Sequence, residues 1–217
     1  MNKTKIEWAD YTWNPIKGLC PIGCWYCYAR RMYKRFGMSP EIKSDHPDND
    51  PQKMEKPCRI FVCSTFELFH PSADKYRDEI FNVIQAHVLC KSKATFVMLT
   101  KMPERIDRAM PDNVWLGVTI TDEKEWPRIT ELAKHKVTIR FVCYEPLLGD
   151  VRPMNGCFSW IDWVILGDLT GHGKKYQSTR EFLKDIVNPA REFGVPVFMK
   201  NSLREIWGGP LIQEFPK

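Results

Sequence analysis

Three thiols, Cys20, Cys24 and Cys27, fall within eight residues of the run Gly18-Leu19-Cys20-Pro21-Ile22-Gly23-Cys24-Trp25-Tyr26-Cys27-Tyr28. The spacing C-x3-C-x2-C lets three side chains converge on one small object, and Gly18, Pro21 and Gly23 favour a loop able to wrap around it. A helix expected from Tyr28 onward would aim its first amides toward anionic sulfur or a bound carboxylate. Three ligands differ in consequence from four. A 4Fe-4S cluster held by four thiolates is closed and suits electron transfer, whereas three thiolates leave one iron open to a non-protein ligand. The other arrangement open to these thiols is a structural zinc site completed by His46 or Cys58, although neither residue belongs to a second ligand pair.

Such a loop needs a frame. Short β-branched and aromatic runs recur at Ile60 to Ser64, Thr95 to Thr100, Val114 to Ile120, Val137 to Cys143, Trp163 to Leu166 and Val195 to Met199, with a weaker one near Trp8 to Trp13. Helical-period segments lie between them. Asp74 to Leu89 places Ile80, Phe81, Ile84 and Val88 on one face, and Trp126 to Ala133 and Arg180 to Phe193 follow the same habit. Strand and helix alternating about five times predicts an α/β fold, because each parallel connection needs a long crossover. A complete eight-fold barrel uses roughly 250 residues. The 217 residues of this chain therefore suit a partial (βα) barrel of about six to seven mostly parallel strands with outer helices, a doubly wound open sheet being the alternative.

Residues 1–217 read as a single domain with a polar, proline-punctuated loop insertion at about 38–57. With 43% apolar and 27% charged residues the chain is not of the disordered class. No apolar run approaches the ~20 residues of a membrane helix, and the first residues lack the apolar stretch of a signal peptide. A cytoplasmic protein without membrane contact is expected. Eight cysteines in a reducing compartment then point to metal or redox chemistry rather than disulfides.

The C-x3-C-x2-C run with an aromatic residue, Tyr26, just before the last cysteine resembles the hallmark of the radical S-adenosylmethionine (SAM) enzymes. The resemblance implies that Cys20, Cys24 and Cys27 ligate three irons of a 4Fe-4S cluster and that SAM chelates the fourth. It also implies reductive cleavage to methionine and a 5′-deoxyadenosyl radical, with an external electron donor such as a flavodoxin or ferredoxin. A closer likeness, to the phage-associated three-Cys-motif family of unknown function, rests on Trp13-Asn14-Pro15, Tyr28-Ala29, Glu67-Leu68-Phe69-His70, Leu99-Thr100-Lys101-Met102-Pro103-Glu104-Arg105, Asn113 to Val118, Glu145-Pro146-Leu147-Leu148-Gly149 and Asp162 to Gly167. Where that family commonly has Gly-Gly-Glu-Ser-Gly, this chain has Gly167-Asp168-Leu169-Thr170-Gly171.

In βα barrels the active site lies where strands end. The ends here carry Ser64-Thr65, Thr100-Lys101, Thr119-Ile120-Thr121, Glu145, Gly167-Asp168 and Lys200-Asn201, a polar residue after each apolar run. On the radical-SAM reading Tyr26 belongs to the cofactor site, Glu67 or Glu145 receives the ammonium of SAM, Lys101 pairs with its carboxylate, and Asp168 or Thr119 bonds the ribose. Plain helix capping is the competing use of the threonines. Cys63 and Cys143 are candidate hydrogen-atom donors or small buried hydrophobes, and Cys58, Cys90 and Cys157 are expected to be buried in the same way. His70 and His172 are candidate acids or bases in strand-end loops. Trp8, Trp13, Trp160 and Trp163 are expected in the core.

After the cysteines, Tyr28-Ala29-Arg30-Arg31-Met32-Tyr33-Lys34-Arg35-Phe36 combines four cations with three aromatic residues, types that contact phosphates and stack on bases. The cluster with its following tyrosine also looks like the spore photoproduct lyase branch, which repairs DNA. Two functions follow: an enzyme that starts radical chemistry on nucleic acid or a partner protein, or a zinc-stapled module that binds nucleic acid without catalysis.

Overall fold

A computed structural model describes every residue except 152, 154–155 and 172–175, so His172 lies outside the described residues. The chain divides into two compact units, Met1–Trp115 and Leu116–Lys217. Among the described residues ten strands and five α-helices build them: β1 (Asn2–Lys3), β2 (Tyr11–Trp13), β3 (Ile16–Lys17), α1 (Tyr28–Phe36), β4 (Lys43–Ser44), β5 (Cys58–Val62), α2 (Asp74–Leu89), β6 (Ala94–Thr100), β7 (Val114–Thr119), α3 (Pro127–Ala133), β8 (Ile139–Tyr144), β9 (Trp163–Leu166), α4 (Arg180–Glu192), β10 (Val197–Met199) and α5 (Arg204–Trp207).

In the first unit the strand order is β1-β2-β5-β6, ending on the first residues of β7. β1 is antiparallel to β2, whereas β2–β5 and β5–β6 are parallel: Trp13 lies beside Val62, and Val62 beside Met98. α2 is the crossover between β5 and β6, with Arg77, Ile80, Phe81, Ile84 and His87 on its buried side. β6 is buried at Ala94, Phe96, Val97, Met98 and Thr100, as expected of a parallel strand covered on both faces. The second unit continues from β7 through β8, β9 and β10. Its pairs β8–β9 and β9–β10 are parallel. α4 starts at Thr179, whose hydroxyl accepts from the Phe182 N–H, and buries Leu183, Ile186, Val187 and Ala190, which fall on one face at helical spacing.

The α/β class with mostly parallel strands agrees with the sequence reading; β9 and α2 have the expected bounds, and other boundaries move by up to three residues. β5 begins two residues early and stops at Val62, because Cys63 turns into a left-handed backbone at φ 54°. Short pieces escape a periodicity search. Within the loop at 38–57, β4 pairs with β3, bringing Ser44 beside Ile16. At the chain's end Met199 N–H donates to the Ile212 carbonyl (2.7 Å) and Glu214 N–H to that of Val197 (2.9 Å), satisfying the outer edge of β10. Trp8, Trp13 and Trp163 are buried as expected, but Trp160 is 42% exposed. It ends a 3-10 turn, Cys157–Trp160, whose Cys157 and Phe158 take the inward positions. Cys90 is also exposed, since it follows the last turn of α2 as its C-cap. Among the described residues no helix is long and apolar enough to cross a membrane.

Ionic packing anchors the turn after β5. The Arg77 guanidinium, buried at the start of α2, donates to Asp107 (2.8 Å) and to the Leu68 carbonyl (3.3 Å), and also pairs with Asp74. Arg105 joins from the other side, donating to the Phe69 carbonyl (2.8 Å) and to Asp74 (3.0 Å). The Arg108 hydrogen bond is the largest influence holding the Asp107 carboxyl below its usual range. A depressed carboxyl pKa contributes stability above the unfolded-state value and loses it as pH falls through the folded-state value. Asp107→Asn should therefore lower stability at pH 7 by up to about 1 kcal/mol, the range for a half-exposed pair. The difference from wild type should vanish in acid below the ordinary carboxyl range, measured by urea unfolding across pH.

In the second unit Gly117 faces the Phe141 ring so closely that an added Cβ would sit 2.5 Å from it. Gly117→Ala should cost about 1–3 kcal/mol, and the double variant Gly117→Ala, Phe141→Leu should recover part of the lost thermal midpoint by calorimetry.

Candidate functional site

The three cysteines occupy a loop whose two ends are fixed by different means. At its start Gly18 adopts φ +110°, and a Cβ there would fall 2.4 Å from the Glu41 carbonyl oxygen, so only glycine fits. Gly18 N–H donates to the Tyr33 hydroxyl (2.8 Å) and Leu19 N–H to the Pro40 carbonyl (3.0 Å). Residues 38–44 thus clamp the loop's base against β3, a role that composition alone does not reveal. At its end Cys27 is the N-cap of α1; its backbone is extended and its thiol does not cap the helix. Between these points Arg30 reaches back to the Cys20 carbonyl (2.8 Å), and Cys27 N–H closes a turn on the Cys24 carbonyl (3.1 Å).

The turn after β5 wraps the first thiol. Burial pushes the Cys20 thiol up, the N–H groups of Ile22 and Glu67 pull it down, and the Glu67 carboxylate and Cys24 add a smaller upward push. Cys63 is buried beside Glu67 and Cys20, and that burial raises its thiol far above the ordinary range. Such a thiol keeps its proton. Cys63 N–H donates to the Trp13 carbonyl (2.8 Å), and the Tyr28 hydroxyl donates to the Ser64 carbonyl (3.2 Å), tying β2, β5 and α1 around the loop.

Glu67 is buried and multiply bonded. Its Oε1 accepts from Thr100 Oγ1 (2.6 Å) and Phe69 N–H (3.2 Å), and its Oε2 from Lys101 N–H (2.8 Å). The carboxylate therefore joins the ends of β5 and β6 and sets where the Lys101 side chain begins. Tyr26 is half-buried, its ring edge-on to Trp25 at 5.5 Å. In this unit the structure brings Cys20, Cys24, Cys63 and Glu67 together, with Thr100 and Lys101 joined to Glu67.

The second unit carries its own polar strand ends. Glu145, after β8, pairs with Lys200, after β10. Gly167 makes room for that pair: a Cβ there would sit 2.9 Å from Glu145 Cδ and 3.1 Å from Lys200 Cδ. Asp168 Oδ1 accepts from the Ser178 N–H and hydroxyl, both at 2.9 Å. Thr119 is fully buried, and Arg128 donates to its carbonyl (2.7 Å). Among the described residues the side chains that cap helices or 3-10 turns are His70, Asp122 and Thr179, and no strand-end hydroxyl is one of them. Ser178 is a partner that the residue pattern does not single out, and that pattern marks Lys200 only as a strand-end residue, not as the partner of Glu145; they lie 10 and 55 residues from the carboxylates they serve.

All three loop thiols are partly exposed and outside any disulfide, and this donor set fits a cluster that takes one thiolate on each of three irons. Among the described residues no three His, Cys, Asp or Glu side chains converge on a point as one metal ion would require. Of the residues considered as a fourth zinc ligand, Cys58 opens β5 at the end opposite Cys63, and His46 pairs with Asp50.

No curated protein matches the sequence. A mutant spore photoproduct lyase with bound AdoMet and dinucleoside spore photoproduct is similar in structure, with a TM-score of 0.53 and 11% identity over 96% of this chain and 77% of that chain. Spore photoproduct lyase complexed with dinucleoside spore photoproduct gives 0.50 and 11% over the same shares. The likeness shows the fold alone, an α/β arrangement of mostly parallel strands with helices. Residues 3–209 match one family along nearly the whole chain, and the protein belongs to it: the family described as a protein of unknown function, DUF5131.

Proposed function

We propose that this protein is a radical-SAM enzyme whose Cys20, Cys24 and Cys27 hold a 4Fe-4S cluster. The observation that carries the reading is the loop itself: three thiols outside any disulfide, on a base that only glycine can form, against the strand end that carries Glu67. Bound there, the cluster would deliver one electron to SAM and release methionine with a 5′-deoxyadenosyl radical. The chain's own residues prepare the place. Burial raises the Cys20 thiol, and the N–H groups of Ile22 and Glu67 that point at its sulfur offset part of that rise. Glu67 holds the Lys101 backbone, from which a cation extends to pair with a carboxylate, and Tyr26 lines the loop. In the second unit the Glu145 carboxylate is balanced by Lys200.

Anaerobic reconstitution with iron and sulfide should give a brown protein that, once reduced, converts SAM to methionine and 5′-deoxyadenosine. Cys24→Ala should abolish both colour and cleavage, because two thiolates seldom retain such a cluster. A colourless wild-type protein holding stoichiometric zinc would overturn the reading.

Gly18→Ala keeps every thiol yet forces a Cβ into the Glu41 backbone. Its iron content after reconstitution should fall several-fold while far-UV circular dichroism stays near wild type. Full occupancy in this variant would show that the clamp at Gly18 does not position the loop.

A further inference from the structure

Between Tyr11 and Pro40 the chain has no Asp or Glu and five cations, Lys17, Arg30, Arg31, Lys34 and Arg35. Those five equal the whole formal excess of +5, so the rest of the protein is balanced. Four of them ride on α1, and the helix sorts them. Arg30 turns back to the Cys20 carbonyl, and Ala29 and Tyr33 are buried. Tyr28, Arg31, Lys34 and Arg35 share the exposed side, as spacings of three, four and seven residues require. The same segment holds Trp25 (54% exposed), Tyr28, Phe36 (66% exposed) and Met38, four of the seven large exposed hydrophobic side chains among the described residues. The Arg35 guanidinium lies over the Phe36 ring at 5.4 Å.

Rings left in water need a partner that gains from them. A protein–protein interface gathers aromatic residues into a core depleted of charge. Here rings and cations alternate instead along the roughly 12 Å of helix from Tyr28 to Phe36. A nucleic-acid strand presents the complement, since its phosphates alternate with flat bases that stack on aromatic faces whatever their sequence. We infer that the exposed side of α1, with Trp25 before its start and Phe36 at its end, binds single-stranded nucleic acid and brings it to the cysteine loop. Nucleic acid is then the substrate class of the enzyme, a step that rests on the radical-SAM reading above; the binding surface itself does not.

Fluorescence anisotropy of short labelled oligo-dT and oligo-U strands, with a duplex for comparison, tests this on the reconstituted protein. Single strands should bind more tightly than duplex, with log K falling against log salt at a slope of about −2, for roughly three phosphate contacts. The triple variant Arg31→Gln, Lys34→Gln, Arg35→Gln should bind at least about tenfold more weakly and flatten that slope. Phe36→Ala should weaken binding about tenfold and leave the slope unchanged, because stacking releases no counterions. Both variants should cleave SAM in the absence of nucleic acid as wild type does. Oligonucleotide affinity unchanged in the variants would overturn the inference. So would a result in which they lose an acidic protein such as flavodoxin, with no oligonucleotide bound by the wild type. Cleavage intact without strand binding would remove nucleic acid as substrate and leave the enzyme reading standing. Strand binding without cleavage would remove the enzyme and leave the surface.

Discussion

A buried carboxylate must be surrounded by donors or it is not buried at all, and Glu67 meets that condition with three hydrogen bonds from Phe69, Thr100 and Lys101. Those bonds join the ends of two neighbouring parallel strands. The same residue's N–H reaches the Cys20 thiol, so the carboxylate and the first sulfur are placed by one short turn. Arg77 and Arg105 hold the carbonyls of Leu68 and Phe69 from beneath. The strand ends, the turn and the cysteine loop form one continuous set of hydrogen bonds in the first unit, and none can shift without disturbing a buried charge.

The second constraint is steric. Gly18 lies against the backbone of Glu41, and Tyr33 of α1 accepts from its N–H. The loop is therefore gripped by the segment that follows α1 and by α1 itself. That arrangement holds both entry and exit of the cysteine run while leaving the three thiols partly exposed. The basic, aromatic side of α1 begins directly after the last cysteine.

Much of the frame was legible because it depends on local chemistry. The strands β5 to β10 and the helices α2, α3 and α4 were recoverable from β-branched runs and helical spacing, with ends displaced where a turn such as Cys63 intervened. Two-residue strands carry no periodic signal, and β4 declares itself only through its pairing with β3. Trp160 and Cys90 look like core residues by type, yet each closes a helical element at a position that points outward. Residue type states a preference, and the turn decides whether it can be met.

The chemistry of the site divides in the same way. The amino-acid sequence by itself determined the three-thiol spacing, the aromatic residue before Cys27, the polar residue at each strand end and the concentration of positive charge on one helix, because these are properties of neighbouring residues. Only the tertiary structure decided that Glu67 turns inward onto Thr100 and Lys101, that Glu145 has Lys200 as its counter-ion, and that residues 38–44 clamp the base of the cysteine loop. Those partners are separated by tens of residues. Their meeting depends on strand register and on which backbone can approach which, and neither is written into any short stretch of chain.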